Sequence, residues 1–334
     1  MGTTNSLIYL VGRGIVINEP SVAALNNKTS QILAIGTEAK NMLGRTPQHI
    51  NVIKPLINGV ISDFDMTQEM LRYFLKKIGG SGAFLNYRRA VIGVPSNLTE
   101  VERKSVEDAI VGAGVSKAYT IEEPLAAALG ARLPINEPTA NMIIDIGGGT
   151  TEIAVISMGG TVTSKSLKVA GDKFNEDIIR FIRDEFSLAI GEPTAEELKS
   201  TIGSAVPVDQ KLEMTIRGRD LATGLPKEIL VKDTHIRAAL AKSLKAIVEA
   251  VKEVVEVSPP ELVGDVLRRG IYLCGGGSLL RGVDQLIAKD LTVNAAVVDD
   301  PLTCVARGTG IAVENFDQYK QILDNPLIPR DIRT

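Results

Sequence analysis

The chain has 334 residues, a formal net charge of −3, and a composition that is 44% hydrophobic and 23% charged. These values are typical of a globular protein with room for two ordinary domains, and the slight acidity gives no electrostatic basis for binding nucleic acid. Cys274 and Cys304 are the only cysteines, which indicates reduced thiols of a cytosolic protein and excludes a zinc spacing. No apolar run approaches 18 residues, which excludes a membrane-spanning helix.

The predicted elements begin with a β-hairpin. Apolar stretches on either side of Gly12 and Gly14 predict its two strands, and QILAIG predicts a third. Apolar residues at helical spacing predict a helix over 65–77, and Thr99 followed by Glu102 predicts a capped helix that runs to residue 112. Strands in RRAVIGVPS and KAYTIEEP and an Ala-rich helix over 125–133 complete this part.

The rest of the chain continues the alternation of strands and helices. The segment NMIIDIGGGTTEIAVIS and the residues after it predict three strands around a glycine turn, followed by helices over 172–186 and 194–203. Residues 211–231 alternate like strands, and residues 234–256 predict a long amphipathic helix. A strand and a glycine turn follow in GIYLCGGGSLLRG. This order predicts an α/β fold with mixed sheets.

An internal repeat relates the two parts. Gly2-Thr3-Thr4 begins a strand that Gly12-Arg13-Gly14 turns into a second one. Gly149-Thr150-Thr151 and Gly159-Gly160 do the same, each 147 positions later. The repeat predicts two similar halves, and a cleft between such halves is a natural ligand site.

The segment from Asp145 to Thr151 predicts a phosphate site. A strand ends at an acid, three glycines then let backbone N–H groups approach an anion, and two threonines add hydroxyl donors. Because a carboxylate repels a phosphate, Asp145 is expected to act through Mg²⁺ and its waters. The alternative is a plain glycine hairpin.

Two further stretches carry weaker signals. Gly275-Gly276-Gly277 follows a strand that ends without an acid, which favours close backbone approach to a neutral part of a nucleotide. Glu122-Glu123-Pro124 lies between a strand and a helix. These acids either favour the helix dipole or, at Glu123, position a water for attack on a γ-phosphate.

Four stretches in this order, GTTN, EEPLAAA, DIGGGTTE and LCGGGSLLRG, resemble the actin/heat-shock chaperone/sugar kinase ATPases. Others, such as GIVINEPSVAA, VIGVPSNLTEVER and RGRDLATGLPK, resemble the MreB family of bacterial actins, from Gly2 to about Phe316. The resemblance implies an α/β, actin-like (ribonuclease H-like) fold with two similar halves around a nucleotide cleft. Each half would have a large and a small subdomain. We expect the first half over 1–135, with its small subdomain around 21–65, and the second over 136–334, with its small subdomain around 176–235.

The resemblance also implies ATP and Mg²⁺ as cofactors and a set of site residues. Glu123 falls on the residue that positions the attacking water, and Glu196 and Lys199 resemble a pair near the ribose and base. The remaining binding residues fall on three loops: Gly2, Thr3, Thr4 and Asn5 on the first phosphate loop, Asp145, Gly147, Gly148, Gly149 and Thr150 on the second, and Gly275, Gly276 and Gly277 on the adenosine loop.

The implied activity is slow ATP hydrolysis coupled to polymerisation into paired filaments. These would lie at the inner face of the cytoplasmic membrane, guide cell-wall synthesis and maintain rod shape, with copies of the chain, the membrane surface and membrane-anchored morphogenesis proteins as partners. Phe84 and Leu85, before Arg88 and Arg89, are candidates for membrane insertion. Alternatively, they pack at the start of the next strand. A non-hydrolysing scaffold and a small-molecule kinase of the same superfold are the alternative functions.

The sequence departs from the family at its first residues. The relatives have Asp-Leu-Gly-Thr at the first phosphate loop, whereas Met1 falls on the Leu position here and the Asp would lie one residue earlier. The strand that leads into the loop is missing as well. Either the native protein has a longer N-terminus, or its first half lacks a strand and an Mg²⁺-site carboxylate, which would weaken hydrolysis and folding.

Overall fold

The computed structural model describes residues 1–79 and 87–323, which form α/β layers as predicted. The strands are β1 (Asn5–Leu10), β2 (Gly14–Pro20), β3 (Ala23–Asn26), β4 (Gln31–Ile35), β5 (Ile50–Ile53), β6 (Leu56–Ile57), β7 (Val60–Ile61), β8 (Ala90–Val94), β9 (Ala118–Glu122), β10 (Asn141–Ile146), β11 (Thr151–Ser157), β12 (Gly160–Leu167), β13 (Leu188–Ala189), β14 (Glu213–Asp220), β15 (Pro226–Lys232), β16 (Ile271–Cys274) and β17 (Ala295–Val297). The helices are α1 (Thr37–Asn41), α2 (Phe64–Gly79), α3 (Glu100–Gly112), α4 (Glu123–Gly130), α5 (Gly171–Phe186), α6 (Glu192–Ile202), α7 (Asp233–Glu256), α8 (Pro260–Arg269), α9 (Val283–Leu291), α10 (Cys304–Glu314) and α11 (Phe316–Tyr319).

A five-stranded sheet in the order β12-β11-β10-β16-β17 carries the largest core. Its central strand β10 runs antiparallel to β11 and parallel to β16. All residues of β10 and β11 are buried, because helices cover both faces of the sheet and most residues of the two strands are apolar. A separate sheet of β13, β14 and β15 lies beside it.

The N-terminal part contains smaller sheets. β1 pairs with β2 in the predicted hairpin, β8 pairs in parallel with β9, β3 lies between β4 and β5, and β6 pairs with β7. The predicted repeat is confirmed in the structure. A shift of 147 positions moves β1 and β2 onto residues 152–157 and 161–167, within one residue of β11 and β12 at each end.

Helices α4 and α10 join the two parts by packing backbone against backbone. A Cβ atom on Gly130 would overlap the carbonyl oxygen of Cys304, and one on Gly308 would overlap that of Ala126. Helix α10 also packs against β1 and β8, so the C-terminal region contacts the N-terminal sheets. The division of the chain at residue 135 stays a prediction.

Local predictions have mixed outcomes. The capping box of α3 is confirmed: the Glu102 N–H donates to Thr99 Oγ1 at 3.2 Å, and the Thr99 N–H donates to Glu102 Oε2 at 2.8 Å. The helix predicted over 125–133 was placed too late, because Pro124 already allows helical backbone at its first turn.

The predicted membrane residues Phe84 and Leu85 lie outside the described residues. The Arg89 guanidinium beyond them sits over the Phe316 ring, 4.4 Å from its centroid, and therefore packs on the protein surface. In the part of the chain that the structure describes, no helix is both long and apolar enough to cross a membrane.

Candidate nucleotide site

The predicted second phosphate loop joins β10 to β11. Asp145 lies near the end of β10 with 7% of its surface exposed, and the following glycines are held by backbone hydrogen bonds. The Gly147 N–H donates to the Thr150 carbonyl at 2.9 Å. The Asp172 N–H, at the start of α5, donates to the Gly148 carbonyl at 2.7 Å. The loop is therefore closed on itself and tied to a helix N-terminus.

The predicted first phosphate loop faces the second across the cleft. A Cβ atom on Gly148 would overlap Thr4 Oγ1, and a Cβ atom on Gly149 would lie 2.6 Å from Thr3 Oγ1. The two loops can therefore touch only because positions 148 and 149 are glycine. Thr3 Oγ1 also accepts a hydrogen bond from the Gly59 N–H at 2.9 Å. The structure thus brings together two loops that lie far apart in the sequence.

The predicted adenosine loop lies directly beside Asp145. Gly275 has φ +79° and ψ +165°, a region open essentially to glycine, and a Cβ atom there would overlap Asp145 Oδ1. The Gly275 N–H donates to the Pro301 carbonyl at 3.0 Å, which sets the loop against the segment before α10. Leu302, before α10, and Val305, in the first turn of α10, line the cavity at this end with apolar side chains.

Two acids, Glu123 and Asp145, line the cleft, and the charge of a third, Glu152, acts on both. Burial, reinforced by the charges of Asp145 and Glu152, raises the pKa of Glu123 to about 8. Burial and the charge of Glu152 raise the pKa of Asp145 to about 7. Burial also raises the pKa of Glu152, although Ser166 Oγ donates to it at 2.5 Å and the Ser96 N–H at 3.2 Å. The site therefore favours added positive charge.

This arrangement fits a hydrated Mg²⁺. Among residues 1–79 and 87–323, no three His, Cys, Asp or Glu side chains form a group that could hold a metal ion alone. Asp145 at the mouth of the phosphate loops suits a magnesium ion that keeps most of its waters and takes other ligands from phosphate oxygens.

Glu196 and Lys199 lie one turn apart on α6 and are tied to α5. Lys199 Nζ donates to Glu196 Oε2 at 2.7 Å and to the Gly171 carbonyl at 3.1 Å, and Asn175 Nδ2 donates to the same Glu196 oxygen at 2.7 Å. Burial alone would raise the pKa of Glu196, but Lys199 and Asn175 outweigh it and lower that pKa.

Sequence reasoning missed a charged bridge across the cleft. Lys54 Nζ lies 3.2 Å from Asp172 Oδ1 and 2.6 Å from Glu192 Oε1. Burial would lower the pKa of Lys54, but the two acids raise it. Lys54 belongs to the N-terminal part, whereas both acids stand at the start of helices in the other part. No motif marks this lysine, and its partners are distant in the sequence, so no sequence signal was available.

One cavity of about 910 Å³ connects these features. It is lined by all three glycine loops and by Glu123, Asp145, Glu196 and Lys199. Every described residue that the sequence assigned to the nucleotide site therefore lies on one cavity. Their individual roles stay predictions.

The architecture around this cavity defines an actin-like protein. The chain superimposes with a TM-score of 0.91 on the crystal structure of MreB5 of Spiroplasma citri bound to ADP, with 40% identity over 96% of both chains. The crystal structure bound to AMPPNP gives the same TM-score at 39% identity. The MamK double helical filament shares the fold, with a TM-score of 0.79 and 22% identity over 94% of this chain and 97% of that one. The predicted fold class is confirmed.

The chain belongs to the MreB/Mbl family, whose profile matches residues 1–321. It is 47% identical over 318 residues to the cell shape-determining protein Mbl of Bacillus subtilis, with 95% of both chains covered. It is 45% identical over 323 residues to the cell shape-determining protein MreB of Escherichia coli, which covers 96% of this chain and 93% of that one. The resemblance noted from sequence motifs is confirmed.

Proposed function

We propose that this protein is an actin-like ATPase of the bacterial cytoskeleton. In this proposal it binds Mg-ATP, polymerises into paired filaments at the inner face of the cytoplasmic membrane, and maintains rod shape by organising cell-wall synthesis. The observation that carries the proposal is the meeting of three glycine loops and two acids, Glu123 and Asp145, on one cavity. The nucleotide-bound MreB5 structures and the names of the cell shape-determining relatives support it.

In the proposed ATP hydrolysis, each group at the cavity has its own role. Backbone N–H groups of the two phosphate loops hold the phosphate oxygens, which carry the charge that builds up during phosphoryl transfer. Asp145 would hold a magnesium ion through water, and the ion would supply positive charge to these oxygens. Glu123, at the start of α4 and on the wall of the cavity, orients the water that attacks the γ-phosphate.

Pelleting and phosphate release, measured together with Mg-ATP, test this proposal. We expect ATP-dependent sedimentation accompanied by slow phosphate release. Asp145→Ala should abolish phosphate release, and Glu123→Ala should slow it while nucleotide binding is largely kept. Turnover that survives in Asp145→Ala would contradict the metal assignment, and loss of binding in Glu123→Ala would indicate a structural role.

A filament scaffold without hydrolysis is the second candidate. In this alternative the chain binds nucleotide at the same cavity and polymerises, but does not hydrolyse it. Sedimentation without phosphate release would support this candidate. Sugar-stimulated turnover without sedimentation would instead contradict both and indicate a small-molecule kinase.

Membrane association is tested separately. Flotation with vesicles that contain anionic lipid should carry the protein upward, and Phe84→Ser with Leu85→Ser should abolish flotation without reducing sedimentation with ATP. Unchanged flotation in this variant would contradict the assignment of these two residues.

A further inference from the structure

A second cavity, of about 570 Å³, adjoins the nucleotide cavity, and we call it the side pocket. Lys54, Asp172 and Glu192, which form the bridge across the cleft, line both cavities, so the bridge stands between them. The other walls of the side pocket come from both parts of the chain. They are formed by β5, β6 and the residues before α2 on one side, and by α5 on the other.

The side pocket has an excess of negative charge. Asp63 and Glu176 join the two acids of the bridge on its walls, and Lys54 is the one basic residue among the wall residues that the structure describes. This lysine already pairs with Asp172 and Glu192. Burial keeps the pKa of Asp172 above its usual value, although Lys54 lowers it. The side pocket therefore favours additional positive charge.

A buried amide oxygen at the side pocket lacks a donor. Asn175, on α5, has 3% of its surface exposed and lines the side pocket but not the nucleotide cavity. Its Nδ2 donates to Glu196 Oε2 at 2.7 Å, which fixes the orientation of the amide. Asn175 Oδ1 therefore faces away from Glu196 and towards the side pocket, and it has no hydrogen-bond partner in the described part of the chain. A ligand with an N–H donor would satisfy this acceptor.

Three isoleucines add apolar surface to the side pocket. Ile53 belongs to β5, Ile57 to β6, and Ile179 to α5, one helical turn after Asn175. Ile57 is 53% exposed, so apolar surface at the side pocket is in contact with water. A hydrated metal ion would leave these side chains uncovered, whereas a chain of methylene groups would bury them.

We propose that the side pocket binds a linear aliphatic polyamine. Its ammonium groups pair with Asp63 and Glu176, and one of them donates a hydrogen bond to Asn175 Oδ1. Its methylene groups cover Ile57 and Ile179. A polyamine combines the spaced positive charges, the donors and the apolar stem that these three features of the side pocket require. Because Asp63 lies in one part of the chain and Glu176 in the other, the bound polyamine ties the two sides of the cleft together.

Isothermal titration of the full chain with spermidine, a linear triamine, tests this proposal. The titration is made without nucleotide, so that no free phosphate competes for the amine. We expect saturable binding of one spermidine per chain that persists in about 0.15 M NaCl, because this salt screens scattered surface charges. Excess MgCl₂ at the same ionic strength should leave the affinity for spermidine unchanged, because a hydrated metal ion does not cover the isoleucines.

Paired variants locate the binding site. Asp63→Asn together with Glu176→Gln should weaken spermidine binding about 5-fold, the loss expected for two partly exposed ion pairs. The asparagine keeps an oxygen that can accept the Met66 N–H at the start of α2, so the helix start is retained. The matched control, Asp184→Asn with Glu185→Gln, removes two exposed charges from the other end of α5 and should keep the affinity of the unchanged chain.

A further variant tests the contact with the methylene groups. Ile57→Ser, at a half-exposed position, should weaken spermidine binding several-fold, because the apolar surface under the amine is lost. Melting curves show that each variant is folded before it is titrated. The proposal is overturned if spermidine shows no saturable binding, if the two paired variants bind it equally, if excess MgCl₂ displaces it, or if Ile57→Ser binds it with full affinity.

Discussion

Gly275 offers a sharp test of how the glycine turn after β16 packs against Asp145. Gly275→Ala places a methyl group in a backbone region that costs about 1–3 kcal/mol for a residue with a side chain. The same methyl group overlaps Asp145 Oδ1 and the Ile146 carbonyl oxygen, and overpacking of this kind costs about 1–3 kcal/mol more. The two terms together predict a loss of about 4 kcal/mol.

The neighbouring glycine gives the matched control. A Cβ atom on Gly276 would meet only the end of the Leu302 side chain, 3.3 Å away, and Leu302 is 52% exposed and free to move. Gly276→Ala should therefore cost less than about 1 kcal/mol.

Thermal unfolding followed by circular dichroism measures both variants. At about 2–4 °C for each kcal/mol, Gly275→Ala should lower the Tm by roughly 10 °C, and Gly276→Ala by no more than about 3 °C. Binding of a fluorescent ATP analogue should also weaken in Gly275→Ala, because Asp145 must move. If the two variants melt within 2 °C of each other, the close approach of Gly275 to Asp145 is wrong.

Three further predictions follow from other contacts. Lys54→Ala removes both ion pairs across the cleft, so a fluorescent ADP analogue should dissociate several-fold faster in stopped-flow measurements. An unchanged dissociation rate would show that these ion pairs do not restrain the cleft. Without nucleotide and metal, the free energy of unfolding should fall as the pH rises from 5 to 8, because the folded protein holds a proton on Glu123 that the unfolded chain has released. Glu123→Gln should make this pH dependence less steep, by at most about 1.4 kcal/mol per pH unit. An equal pH dependence of the two proteins in urea titrations would contradict the raised pKa of Glu123. Thr99→Ala removes the cap of α3 and should cost about 1 kcal/mol in the same titrations, whereas Asn97→Ala, at an exposed position two residues earlier, should change little.

Local signals predicted much of the fold. The hairpin glycines and the Thr99 cap depend on residues close in sequence, and the 147-residue repeat compares two such local patterns; the structure contains all three features. Motif spacing also selected residues that the fold brings onto one cavity, since a glycine loop after a buried strand must emerge at a sheet edge.

Long-range contacts could not be predicted in this way. Lys54 binds acids 118 and 138 residues away, and nothing in its neighbouring sequence distinguishes it from a surface lysine. The sequence does not predict the packing of α10 against β1 and β8 either, because an amphipathic pattern shows that a helix has a buried face without showing what covers that face.

The backbone contact between α4 and α10 has a mechanical consequence. Glu123 is the first residue of α4, and the interlocked glycines at Gly130 and Gly308 leave no side-chain layer in which the two helices could slide. We therefore expect the two helices to move as one rigid body, so that any displacement of α10 is passed on to Glu123 at the first turn of α4.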